Sequence, residues 1–201
     1  MITSLKSLPQ SEIDILKDDI AKAADVLEKG GTILYPTDTV WGIGCDAKNP
    51  DAVKKIFEIK KRSDNKALIT LVPEESWIER YINDVPEIAW QLIEVADKPL
   101  TLVLDNARFI APNLLGTDGS VGIRVCKEIY ASSLCRKIKR PIVSTSANIS
   151  GEPTPATFAQ ISKDILDAVD YVAMWRRADT RNVEPSSVIK LGPGGLFKIL
   201  R

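Results

Sequence analysis

Pro141-Ile142-Val143-Ser144-Thr145-Ser146-Ala147-Asn148-Ile149-Ser150-Gly151 is an apolar segment that carries a polar comb. Side chains alternate across a strand, so an extended backbone puts Ser144, Ser146 and Asn148 on one face and Val143, Thr145 and Ala147 on the other. The comb lacks the long charged residues of a solvated sheet edge. It fits two readings, a strand end that opens onto a ligand or a strand that runs into a polar turn.

Upstream, Val121 to Cys126 reads as a second strand, joined to Ile142–Thr145 by a helix from about Ile129 to Lys139. This strand-helix-strand pattern recurs along the chain. Ser11 to Gly30 reads as a helix with Ser11 as cap, an apolar stripe of Ile13, Leu16, Ile20, Ala23, Ala24 and Leu27, and a stop at Gly30-Gly31. Thr32 to Tyr35 is a short strand ended by Pro36. Asn49-Pro50 opens a second helix, with asparagine as cap and proline in the first turn, that runs to about Lys61. Further strands are expected at Ala67–Val72, Leu100–Leu104, Tyr171–Ala173, Ser187–Leu191 and Phe197–Leu200. Helices are expected at Glu75–Ile82, Pro86–Ala96 and Phe158–Ile165, and irregular chain at Arg108–Gly119 and Arg176–Pro185. Such alternation predicts an α/β fold with helices packed on a sheet.

The composition narrows the chemistry. The 201 residues are 44% hydrophobic and 27% charged, as in an ordinary globule with a sizeable core. The 27 basic and 27 acidic residues balance, which argues against a chain whose main work is neutralising nucleic-acid phosphates. The absence of histidine removes Ser-His-Asp and Cys-His catalysis and His-ligated zinc. Cys45, Cys126 and Cys135 lack metal-site spacing and read as small buried hydrophobes of a reducing compartment. Cys45, after a Gly-rich turn, is the thiol with some prospect of reactivity. No apolar run approaches the ~18 residues of a membrane span, and no secretory leader is recognisable, so a cytoplasmic location is expected.

Neither glycine-rich nucleotide signature is present. The second helix nevertheless carries an informative lysine. Val53, Ile56 and Phe57 form its buried stripe, and Lys60 continues that face, whereas Lys54, Lys55, Glu58 and Lys61 point elsewhere. A lysine there needs an anionic partner, which a mere response to the helix dipole does not supply. Arg62 follows just past the helix end. Arg124 stands in a strand beside Gly122, a setting that fits either a carboxylate-binding guanidinium or an outward solvated residue. Pro36-Thr37-Asp38-Thr39-Val40-Trp41-Gly42-Ile43-Gly44 reads as a loop at a strand end, where ligands of α/β sheets gather. Asp38 there is read as a turn cap before a magnesium ligand.

Taken together, Tyr35 to Gly42, the Lys-x-Arg of Lys60 and Arg62, Gly122-Ile123-Arg124, and Ser144 to Gly151 resemble the YrdC-like threonylcarbamoyl-adenylate synthases, whose hallmarks are Lys-x-Arg and Ser-x-Asn. The resemblance covers roughly Gly30 to the C-terminus. It implies a twisted open mixed sheet with flanking helices around a large concave cavity, in a single domain over residues 1–201. It also implies condensation of L-threonine, bicarbonate and ATP to threonylcarbamoyl-adenylate and pyrophosphate, for transfer by downstream tRNA threonylcarbamoyl-transferase proteins, with tRNA as a further partner. By motif position Lys60 and Arg62 would be catalytic and face the ATP phosphates, with Ser146 and Asn148 on the nucleotide. Ser120, Thr154 and Arg201 match further nucleotide contacts. Thr37, Arg124, Ser144 and Ser186 would line the threonine pocket, with Arg124 on the carboxylate. Magnesium (Mg2+) would come with ATP and have no dedicated protein cage.

The pattern departs from the family at Ser63, where proline is usual, and at Pro185-Ser186-Ser187, where Glu-Ser-Thr is usual. No additional C-terminal domain is expected. Two alternatives accompany the reading: an RNA-binding module of the same fold, and a paralogue that adenylates a different carbamoyl or carbamate substrate.

Overall fold

The computed structural model describes residues 8–61, 68–181, 184–192 and 196–201. Among the described residues nine strands form one mixed sheet: β1 (Ile33–Tyr35), β2 (Gly42–Gly44), β3 (Ile69–Val72), β4 (Leu100–Leu104), β5 (Val121–Val125), β6 (Ile142–Ser146), β7 (Tyr171–Val172), β8 (Ser187–Leu191) and β9 (Phe197–Ile199). Their order is β7-β1-β2-β6-β3-β5-β4-β8-β9. The pairs β1/β7, β3/β5 and β4/β8 are parallel and the other five antiparallel. The helices are α1 (Gln10–Glu28), α2 (Pro50–Ile59), α3 (Ile78–Tyr81), α4 (Glu87–Val95), α5 (Ile129–Ile138) and α6 (Lys163–Ala168).

The local signals largely hold. Asn49 caps α2 by accepting from the amides of Asp51 and Ala52, with Pro50 in the first turn. The stripe of α1 is buried at Leu16, Ile20, Ala23, Ala24 and Leu27. Its start differs from expectation. The helix begins at Gln10, and Pro9, not Ser11, occupies the cap without a side-chain bond; the Pro9 carbonyl accepts from the amides of Glu12 and Ile13. The expected helix at Phe158–Ile165 is instead a 3-10 turn, Phe158–Gln160, followed by α6.

The larger correction is β2. Read as part of a loop, Gly42–Gly44 is a buried strand between β1 and β6. Its glycines hide it from propensity, yet the tight pairing requires them. A Cβ on Gly44 would lie 2.3 Å from the Val143 carbonyl oxygen and 2.6 Å from the Tyr35 ring.

Alternation then divides the sheet around β4, β5 and β8. Leu102, Leu104, Val121, Ile123, Ile189 and Leu191 belong to a core shared with α3 and α4. Thr101, Val103, Gly122, Arg124 and Val188, the residues between them, face a cavity. Thus the same strands close one face with apolar packing and leave the other for polar chemistry.

Candidate active site

The cavity has a volume of about 450 Å³. Among its lining residues are Arg124 from β5, Ser144 and Ser146 from β6, and Thr154, Ser186 and Arg201 from the later chain. Three of these are brought in by strand register. Ile69 of β3 pairs with Gly122 on one side and Ser144 on the other, so β5 and β6 present Arg124 and the serines across a single strand. Ser186 precedes β8 and its hydroxyl lies 2.9 Å from that of Thr101 on β4. Arg201 is tied down by a 3.1 Å bond from Nε to the Ser186 carbonyl.

Arg124 is only 3% exposed and forms an ion pair with Asp38 at 3.0 Å. A terminal nitrogen of the same guanidinium, Nη2, also lies 3.4 Å from the Thr39 hydroxyl. Asp38 therefore departs from the expected turn cap: its carboxylate turns toward the buried guanidinium. Sequence reading had no signal for this pairing, because Asp38 and Arg124 belong to separate segments that only the sheet brings together.

Lys60 is buried, as its place on the α2 stripe predicts. Its ammonium donates to the carbonyls of Ser146 at 2.6 Å and Asn148 at 2.7 Å, and its own carbonyl accepts from the Ser150 amide. The partner expected to be anionic thus includes two backbone carbonyls. These bonds shape the end of the comb. The strand β6 stops at Ser146, so Asn148 does not continue its face; it sits in a bend, and its amide nitrogen donates to the carbonyls of Ile149 and Glu152.

Of the described residues assigned to the site, Lys60, Asn148, Thr37 and Ser120 are not among those lining the main cavity. Thr37 borders a small neighbouring recess with Arg176, Asp179 and Arg181. Its hydroxyl donates to the Val40 carbonyl at 2.7 Å and accepts from the Thr39 amide at 3.0 Å. Ser120 is buried and bonds Asp118 through its hydroxyl at 2.6 Å. Arg62 lies outside the described residues. Cys45 is fully buried, and burial pushes its thiol well above the ordinary range, so the prospect of a reactive thiol is not supported.

A family model named for Sua5, YciO and YrdC, and described as telomere recombination, matches residues 25–201. The chain belongs to this family. Within it, threonylcarbamoyl-AMP synthases of Idiomarina loihiensis and Photobacterium profundum are each 32% identical, over 77% and 74% of this chain and 84% and 82% of their own lengths. The structure of P. abyssi Sua5 complexed with L-threonine superposes with a TM-score of 0.80 at 29% identity, covering 90% of this chain and 53% of that one. This chain therefore spans about half of that Sua5. Escherichia coli YciO has the same fold, with a TM-score of 0.80 at 23% identity over 96% of this chain and 90% of its own.

Sequence reading did not single out Thr39 or Thr101 and read Asp38 as a turn cap; each meets its partner, Arg124 or Ser186, from a distant segment. Among the described residues no group of three or more Cys, Asp or Glu side chains is placed to hold a metal ion, and no helix is long and apolar enough to cross a membrane.

Proposed function

We infer that this chain is an L-threonylcarbamoyladenylate synthase, using L-threonine, bicarbonate and ATP and releasing pyrophosphate. The observation that carries the reading is the convergence of Arg124, Ser144, Ser146, Ser186, Thr154 and Arg201 on one cavity. An arginine that is nearly fully buried on a cavity wall suits a carboxylate, and the neighbouring hydroxyls suit a small polar substrate.

In this reading Arg124 takes the threonine carboxylate, while Ser144 and Ser186 take the polar groups of the amino acid and Thr37 shapes the adjoining loop. Ser146, Asn148, Ser120, Thr154 and Arg201 serve the nucleotide. Lys60 and Arg62 supply positive charge toward the phosphates, Lys60 from the end of β6. The threonine amine combines with bicarbonate to give a carbamate and water. A carbamate oxygen then attacks the α-phosphorus, and the bond to the bridging oxygen breaks as pyrophosphate leaves. The protein's share is alignment of the two anions and stabilisation of charge on the phosphate oxygens. Magnesium travels with ATP in this scheme, and offsets phosphate charge. The product would serve the threonylcarbamoyl modification of tRNA adenosine by partner transferases.

The test is pyrophosphate release with each substrate omitted in turn. Release that requires threonine and bicarbonate together is expected. Release at the same rate without threonine would reject the substrate assignment, and tRNA binding indifferent to ATP and threonine would favour an RNA-binding role instead.

A further inference from the structure

We propose that Asp38 sets the charge specificity of the Arg124 subsite, making it select a zwitterionic α-amino acid over a plain carboxylic acid. This rests on the reading of the Arg124 cavity as an amino-acid site. Arg124 is 3% exposed and Asp38 14%, with Asp38 Oδ1 3.0 Å from Arg124 Nη2. Arg124 lines the cavity and Asp38 does not. The carboxylate thus backs a side chain that itself lines the cavity.

Two orphaned atoms mark the pair as more than a turn fastening. Among the described residues, Arg124 Nε and Asp38 Oδ1 are both buried without a hydrogen-bond partner. The 3.0 Å approach is an ion pair whose geometry falls short of a hydrogen bond. Buried polar atoms usually find partners, so Arg124 Nε holds a hydrogen-bonding capacity that no described protein group uses. Nε and Nη2 form the edge that holds a carboxylate side-on, and Nη2 of that edge already meets Asp38 and Thr39.

Charge bookkeeping then decides which carboxylate fits. Arg124 and Asp38 sum to zero in a region largely withdrawn from water. A plain carboxylate would leave a net negative charge there, which a low-dielectric environment disfavours. An amino acid brings an ammonium beside its carboxylate and leaves the sum at zero. Neutralising Asp38 reverses this: with Arg124 alone the plain carboxylate balances, and the zwitterion leaves an excess positive charge. Among the described residues the other charged one lining the cavity is Arg201, which is exposed and screened by solvent.

The experiment measures binding of L-threonine and of (R)-3-hydroxybutanoate, which is threonine with hydrogen in place of the amino group, by calorimetry without ATP. The proteins are the wild type, Asp38→Asn and Asp38→Glu. The wild type is expected to prefer threonine by about tenfold or more. Asp38→Asn is expected to shrink that preference about tenfold, weakening threonine while tightening the analogue, and Asp38→Glu to keep it. A merely structural role for Asp38 would weaken both ligands by one factor, and that result overturns the proposal. Equal affinity of the wild type for the two ligands overturns it without any variant. Wild-type protein that binds neither ligand rejects the amino-acid reading itself; threonine binding with the preference intact in Asp38→Asn rejects only the role of Asp38.

Discussion

The ammonium of Lys60 lies 2.6 Å from the carbonyl oxygen of Ser146, 86 residues further along the chain. This bond joins the C-terminal end of α2 to the last residue of β6 and makes one unit of two hallmark segments. A second bond, to the Asn148 carbonyl, turns the chain out of the strand. Lys60 is thereby a clasp that shapes the end of β6, whose Ser144 and Ser146 line the cavity.

Lys60→Ala is accordingly expected to do two things. Pyrophosphate release should fall at least about a hundredfold, as when a positioned cation is removed from a charged transition state. Stability should fall by about 2–4 kcal/mol, because two part-buried carbonyls lose a charged donor. Denaturant titration beside the activity assay separates the two effects. Full activity, or an unchanged midpoint, would contradict the corresponding half.

The glycines of β2 should respond differently to the same substitution. At Gly44 an alanine Cβ would meet a backbone carbonyl at 2.3 Å, so Gly44→Ala should destabilise by about 2–3 kcal/mol or more. At Gly42 the nearest atom is Ser144 Oγ at 2.9 Å, a side chain that is able to rotate. Gly42→Ala should leave stability within about 1 kcal/mol and weaken threonine binding, since Ser144 is displaced. Melting curves with and without threonine test the contrast; equal loss of stability in both variants would refute it.

Asp19 is the buried acid of α1, accepting from the Tyr171 hydroxyl at 2.6 Å and the amides of Met174 and Trp175 at 2.8 and 2.7 Å. Asp19→Ala leaves all three donors without this acceptor and should cost about 3 kcal/mol, read as a lowered unfolding midpoint. A shift below about 1 kcal/mol would show that water or a rearranged loop replaces the carboxylate.

Glu128 caps α5 by accepting from the Ala131 amide and lies 3.5 Å from Arg176. Burial raises its carboxyl from 4.5 to about 7. The folded protein therefore keeps a proton there that the unfolded chain releases, and the associated stability is lost as pH rises from near 4.5 through about 7. Glu128→Gln should remove that slope. Relative to the wild type, the variant should gain on the order of 2 kcal/mol between pH 5 and pH 8. Parallel stability curves for the two proteins would exclude the assignment.

Residues whose behaviour follows from their own segment were legible beforehand. The 3.6-residue period of α2 placed Lys60 inside, and the alternation of β5 set Gly122 and Arg124 apart from Val121, Ile123 and Val125. Asn49-Pro50 marked a helix start because the cap bonds reach only to Asp51 and Ala52. Each of these depends on geometry that repeats within a few residues.

Other features exist only once distant segments meet. Gly42–Gly44 is a strand because β1 and β6 flank it, although its own residues disfavour one. Asp38 faces Arg124, and Lys60 finds the Ser146 and Asn148 carbonyls, through sheet order and register that no local pattern encodes. Local patterns in the chain settle which faces are apolar and where Lys60 points. What the inward charges meet depends on the assembled sheet, because partners for buried charges come from whichever strand end packs opposite.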